Sequence, residues 1–294
     1  NVFYNCKSLK TVNLPESLLT MGKEAFFGSS VEQVYIPKKV TSMGINVFKR
    51  VSTLKTVTGM EGLTSIPNSA FENTSIRTIE IPESVTSIGN SAFANCGDLL
   101  SVSGMKSVKT LGTSAFDGCV SLTSFAMPKQ VTEIPNYLFR NCISLSGVTS
   151  LEGITKIGTS SFEGTSALKE LSFPSVTSVG DKAFASNRVG GTKEDRAKVV
   201  NPSGLTFISL PKVTALGKEA FEDCAFLTTV LLNDKLTTFK DATFLGCKAL
   251  KNITLPSSLT TRGKVTFASS GITAIDLSQT GVTKTEKGKY SEFV

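Results

Sequence analysis

The chain has 294 residues, 40% of them apolar and only 8% aromatic, with a formal net charge of +7 and no histidine or tryptophan. The lack of histidine removes Ser-His-Asp and Cys-His nucleophile systems and the commonest metal ligand. The Lys and Arg residues are scattered, with only short pairs such as Lys38–Lys39 and Lys49–Arg50, which points to a solvated basic surface and away from nucleic acid.

A motif of the form A-F-x-x-C-x-x-L-x-x-V-x-L-P-x-x-V-T-x-I-G recurs along the chain. Its phenylalanine falls at Phe3, Phe26, Phe48, Phe71, Phe93, Phe116, Phe139, Phe162, Phe184, Phe221, Phe244 and Phe267, at intervals of 22 or 23 residues with one interval of 37. A fixed period in the twenties is the signature of a solenoid. The chain opens within one copy at Asn1 and stops within a stretched further copy around Val282, Thr283 and Phe293. Residues 1–294 are therefore expected to form a single solenoid truncated within repeats at both ends. No run of about 18 apolar residues occurs, so none is expected to span a membrane.

The copy at Phe71 shows the logic of one coil. Ile76, Ile79 and Ile81 are expected to point inward along a short strand that Pro82 ends, because proline has no backbone donor for a sheet. Val85 and Ile88 form a second apolar pair. In the next copy Ala92 lets the backbone lie close to its neighbour, Phe93 anchors the coil, Cys96 fills a narrow space, and Gly112 is expected to turn the chain with a positive φ. The inward residues of each coil need the next coil as a lid, so no coil holds alone. Stacked strands should form a parallel sheet along one face. The 37-residue interval contains a polar insert at about 187–203, expected to loop out from the array. Inward spacing resumes at Leu205, Ile208 and Leu210, so the insert is not a domain boundary.

The six cysteines lie three residues after a repeat phenylalanine, in a slot that Ser29, Val51, Thr74, Thr165 and Ser270 fill elsewhere. Such a slot asks for a small buried side chain, and stacked cysteines about 4.8 Å apart are poorly aimed for a disulfide. Buried free thiols are expected.

Segments such as I-P-E-S-V-T-S-I-G-N-S-A-F-A-N-C-G-D-L-L (81–100), A-F-E-D-C-A-F-L-T-T-V (220–230) and L-P-S-S-L-T-T-R-G-K-V-T-F (255–267) resemble the BspA-like leucine-rich repeat family. The resemblance implies an α/β-type repeat solenoid, a leucine-rich-repeat right-handed superhelix with a parallel β-sheet on one face and 12–13 coils of 22–23 residues. It also implies a secreted or cell-surface protein associated with adhesion, and it carries no catalytic residues to this chain. Departures from the family pattern occur at the Met60 and Met105 segments, at the 187–203 insert and at Arg262.

No catalytic group, metal site or cofactor is expected. The acid pairs Glu194–Asp195 and Glu222–Asp223 read as solvated surface, and no phosphate-binding P-loop occurs. Sequons occur at Asn73 and Asn252, the latter expected within a strand. Alternation puts one outward residue per strand: Asn13, Tyr35, Thr58, Glu80, Ser103, Ala126, Thr149, Ser172, Ser209, Leu231, Thr254 and Asp276. Most are small and polar. Tyr35, Glu80, Phe207, Leu231 and Asp276 are the candidate partner-binding residues, and Phe226 and Tyr137 also depart from the repeat. The function expected is a non-enzymatic module that presents an extended repeat surface to a host or neighbouring-cell protein or to extracellular matrix. The alternatives are a structural stalk carrying another domain and a glycan-binding surface protein, although scarce Tyr and absent Trp argue against a sugar platform.

Overall fold

The structure is a computed structural model that describes residues 1–189, 198–276 and 278–281. The described residues form coils of a parallel β-solenoid with almost no helix. The helical element among the described residues is a single 3-10 turn, Met105–Ser107. The chain forms two compact units, one of residues 1–131 with 137–150 and one of residues 132–136 with the chain from 151 onward. The division does not fall at the insert.

In the first unit the anchors Phe3, Phe26, Phe48, Phe71, Phe93, Phe116 and Phe139 stack in sequence, with ring centroids 4.9–6.3 Å apart. From Phe26 onward each ring is fully buried. Two rows of parallel strands accompany them. The long row contains Gln33–Ile36, Thr56–Gly59, Thr78–Glu80, Ser101–Ser103, Ser124–Ala126 and Gly147–Thr149. These strands pair two by two in the registers Tyr35↔Thr58, Glu80↔Ser103 and Ala126↔Thr149. The short row contains two-residue strands such as Ser65–Ile66, Ser87–Ile88 and Thr110–Leu111, with Ile66, Ile88 and Leu111 aligned and buried. One sheet was expected; the second apolar pair of each coil makes a sheet of its own.

The second unit repeats the scheme. Phe162, Phe184, Phe221, Phe244 and Phe267 stack at 5.2–5.4 Å. Its long row is Glu170–Ser172, Phe207–Ser209 and Thr229–Leu231. Its short row runs through Glu133–Ile134, Lys156–Ile157, Ser178–Val179 and Ala215–Leu216, and Thr238–Phe239 pairs separately with Thr261–Arg262. Arg262 thus takes an apolar position opposite Phe239. The insert leaves coil geometry untouched, since Phe184 and Phe221 stack at 5.3 Å across it. It departs as an antiparallel ribbon of Asn187–Val189 and Lys198–Asn201 rather than a plain loop. Its base is tied down by Ser186, whose hydroxyl donates to the Asp223 carbonyl at 2.7 Å and accepts from the Ser203 amide at 2.9 Å. Glu194 and Asp195 lie outside the described residues, as do Val282, Thr283 and Phe293.

The α/β expectation is corrected by the segment around each anchor. The residues two before and two after the anchor have positive φ in coil after coil, for example Ser91 and Asn95 around Phe93, Ser114 and Gly118 around Phe116, and Glu219 and Asp223 around Phe221. Left-handed residues at that spacing cannot propagate a right-handed helix. Three overlapping β-turns form instead. Around Phe93 the amides of Ala92, Ala94 and Cys96 close them onto the carbonyls of Gly89, Ser91 and Phe93 at 3.1–3.3 Å. The intervening amides, those of Ser91, Phe93 and Asn95, donate to Thr113, Ala115 and Asp117 of the next coil at 2.7–2.9 Å. Half of the amides thus close turns and half bind the neighbouring coil, so the buried backbone is satisfied without a helix.

Two glycine roles also separate. Gly104 has φ 80, and a Cβ there would lie 2.2 Å from the Ile81 carbonyl oxygen. It replaces the usual Leu-Pro turn before Met105. Gly112, expected at positive φ, is not among the positive-φ glycines. A Cβ there would come within 2.3 Å of the Asn90 amide nitrogen, so glycine serves close coil-to-coil approach.

Candidate interaction surface

The outward column of the long row is where the repeat leaves side chains free to vary. Inward positions such as Val57, Ile79, Phe125 and Val230 are buried, and their neighbours face solvent because strand side chains alternate. Asn13, Tyr35, Thr58, Glu80, Ser103, Ala126, Thr149, Ser172 and Leu231 are exposed, and Ser209 is half-buried. Tyr35 and Leu231 each keep 48% of their surface exposed, well above what a core side chain shows.

The five candidate residues are divided between the two units. Within the first unit, Tyr35 lies beside Thr58, while Glu80 pairs with Ser103 in a separate strand pair. In the second unit Phe207 lies between Glu170 and Thr229, in the other outward column, and is half-buried; Leu231 sits beside Ser209. Asp276 is exposed but belongs to no strand. Its carboxylate accepts the Ser278 amide at 2.8 Å, and backbone and side-chain hydrogen bonds from Ser278 hold its pKa below the usual value.

Two further aromatic sites flank this surface. Phe226 is 52% exposed, and the Lys169 ammonium lies 5.7 Å from its ring centroid. Tyr137 lies two residues before its anchor, on the turns rather than the strand row, with φ 59. The Arg140 guanidinium covers its ring at 4.7 Å and also holds Asp117 through Nε at 3.1 Å. Tyr137 is therefore tied into the turn segment.

Sequence reasoning missed two openings in the long row. One, of about 420 Å³, lies between Val57–Gly59 and Glu80–Glu83 and is lined by Glu61, Glu80 and Glu83. The other, of about 570 Å³, lies between Thr228–Leu231 and Lys251–Thr254. Asn252, expected within a strand, belongs to no strand and is exposed at the second opening. The only local signal is that Leu232-Asn233-Asp234 stands where most coils have an apolar residue followed by proline.

The chemistry of the interior is that of packing. Five cysteines are buried free thiols and Cys6 is partly exposed. The thiols of Cys96, Cys119 and Cys142 donate to the carbonyls of Phe71, Phe93 and Phe116 in the preceding coil at 3.0–3.2 Å. Cys224 and Cys247 do the same to Phe184 and Phe221 at 3.1 Å. Where threonine fills the slot, Thr74 and Thr165 donate to their own anchor carbonyl at 2.9 and 2.8 Å. In these coils the slot holds a small side chain that donates to an anchor carbonyl, whereas Val51 fills it with no donor. Burial raises the Cys96 pKa to about 11 and that of Cys224 to about 12, opposite to what a reactive thiolate needs. Along the turns, burial opposes ionisation of Glu219, but hydrogen bonds from Lys182 and Lys218 outweigh it and hold its pKa below the usual value. Among the described residues no three His, Cys, Asp or Glu side chains gather in a way that could hold a metal ion. No helix among them is long and apolar enough to cross a membrane.

Solved structures similar in fold include two leucine-rich repeat proteins. A leucine-rich repeat protein from Bacteroides ovatus superposes with a TM-score of 0.61 at 22% identity, covering 86% of this chain and 80% of that one. A leucine-rich repeat protein from Eubacterium ventriosum gives a TM-score of 0.54 at 22% identity, covering 94% of this chain and 68% of that one. No curated protein matches this chain in sequence. The profile of the BspA-type leucine-rich repeat region matches in six copies over residues 1–99, 64–189 and 200–292. The stacked phenylalanine anchors, the 22–23-residue coils and this match together place the chain in the BspA-type leucine-rich repeat family.

Proposed function

We propose that this chain is a non-enzymatic interaction module at the cell surface or outside the cell, presenting its long strand row to a protein of a host, a neighbouring cell or the extracellular matrix. The observation that carries this reading is the exposed, variable outward column built on a recurring apolar frame. Tyr35 and Leu231 supply apolar bodies on it, and Glu80 supplies charge. Aromatic and apolar side chains of this kind anchor protein interfaces when desolvated. Membership of a leucine-rich repeat family supports protein recognition as the class of function.

The test is saturable binding of the full chain to a panel of matrix and cell-surface proteins. One or more partners should bind, with affinity falling at least about fivefold on Tyr35→Ala or Leu231→Ala. No saturable binding across the panel would count against the proposal. A glycan array separates the sugar-binding alternative. Deleting whole coils separates the stalk, which should shorten with its function kept. The 23-residue step from Phe139 to Phe162 supports one continuous solenoid through both units. A single calorimetric transition is expected for it, and two independent transitions would contradict it.

A further inference from the structure

In the second unit the long row stops at Thr229–Leu231, although Asn252–Thr254 is its repeat equivalent one coil on. The two coils concerned are zipped on both sides of this point. Before it, Phe221 and Phe244 stack at 5.2 Å, and the amides of Glu219, Phe221 and Asp223 donate to Asp241, Thr243 and Leu245 at 2.7–3.0 Å. After it, Thr238–Phe239 pairs with Thr261–Arg262. Between them the coils part. One coil earlier, Thr228 N donates to Thr206 O at 2.9 Å and Leu210 N to Leu231 O at 2.8 Å. The equivalent bonds, Lys251 N to Thr228 O and Leu232 N to Thr254 O, are not made. No backbone hydrogen bond joins the two segments, which enclose the groove of about 570 Å³.

The geometry points to strand addition: the open edge of Thr229–Leu231 is a docking site for an extended peptide segment of a protein partner. This rests on the protein-recognition reading above and names the mode of contact. Unpaired amides and carbonyls along a strand edge are matched by another extended backbone, with donors and acceptors at the same repeat. Water also satisfies them, so selectivity comes from the flanks. Leu231 and Ile253 give apolar contact. Lys251 is the one charged residue lining the groove, with no carboxylate among the lining residues. The favoured segment therefore alternates apolar with acidic side chains. The other opening, beside Glu61, Glu80 and Glu83, has the opposite charge and repels such a segment.

The probe is a fluorescent, acetylated nonapeptide alternating valine and glutamate, titrated against the full chain by anisotropy. Its counterpart is the same peptide N-methylated at every second residue, which loses the backbone donors on one edge and keeps the side chains. The unmethylated peptide should bind saturably. N-methylation and Leu231→Glu should each weaken it about tenfold or more, and Tyr35→Ala should leave it unchanged. Hydrogen exchange at Leu232 and Lys251–Thr254 should slow when peptide is bound, which reports on the site even if a variant folds poorly. Equal affinity for the two peptides, or no saturable binding of either, overturns strand addition. Recognition by the outward side chains, read on the partner panel, stands or falls separately. Protection at these amides that rises with protein concentration alone also overturns it, because a second copy would then fill the groove.

Discussion

The turn segments and the long strand row belong to the same coils and behave differently. Around the anchors, amides two before, at and two after the phenylalanine bind the next coil in both units, from Phe3 to Phe116 in pieces of three and again from Phe162 to Phe244. Only the Ser114 position departs from this pattern among the bonds described. The long row, by contrast, is broken into pairs in the first unit and stops at Leu231 in the second. The part of a coil that forms neither helix nor strand is the part that holds the stack. The strand row, released from that duty, varies from one coil to the next and offers its side chains and edges to solvent.

Substitutions can break this contrast. Phe221→Ala empties a fully buried ring site between two stacked rings and should cost about 3–5 kcal/mol in chemical denaturation; Ser103→Ala on the strand row should change stability by no more than about 0.5 kcal/mol. Comparable costs for the two would remove the distinction.

The cysteine slot adds a pH signature. The folded-state pKa values are raised, so the contribution of the buried thiols is complete below the unfolded value of 9.0 and is lost as pH rises through about 11 for Cys96 and about 12 for Cys224. Stability should fall on the alkaline side by up to about 1.4 kcal/mol per pH unit for each such thiol. Cys96→Thr, which copies the neighbouring Thr74, should reduce that slope by one proton in urea titrations run between pH 9 and 11. An unchanged slope would place the alkaline loss elsewhere.

Smaller effects sharpen the account of the turns. Gly118 has φ 72 at the position where Asn95 and Asn141 adopt 56 and 60. Gly118→Asn should therefore cost little, while Gly118→Ile should cost about 1–2 kcal/mol, because a β-branched side chain resists the left-handed region. Ser29 sits in the cysteine slot with a buried hydroxyl that finds no partner. Ser29→Cys should stabilise the protein by about 1 kcal/mol, read as a shift in denaturation midpoint. A loss of stability would show that the slot does not select a thiol.

Much of this was legible in the residues. The period gave the solenoid, and the inward alternation gave the registers Tyr35↔Thr58 and Ser209↔Leu231. The absence of helix was only half legible. Asn5, Asn73, Asn95, Gly118, Asn141, Gly164 and Gly246, all two residues after an anchor, carry a turn signal. The matching left-handed position two before the anchor is filled by Glu24, Tyr137, Lys182, Ala242 and even Val265, which carry none. At Lys182 and Ala242 the amide in this conformation donates to the next coil, a constraint that no side chain announces. The parted strands at 252–254 were barely legible, since Asn-Ile-Thr has the same alternation as the paired strands and only Leu232-Asn233-Asp234, in place of an apolar residue and proline, marks the site. Whether a short strand zips depends on the fit of two whole coils, which no local pattern records.

The central claim is that the anchor turns, not the strand row, hold the coils together. Hydrogen exchange resolved to single amides tests it directly. The amides of Phe48, Phe71 and Phe93 in the first unit and Phe184, Phe221 and Phe244 in the second should exchange only through global unfolding, while those of Lys251–Thr254 exchange through local opening. Anchor amides that exchange as fast as Lys251–Thr254 would contradict it.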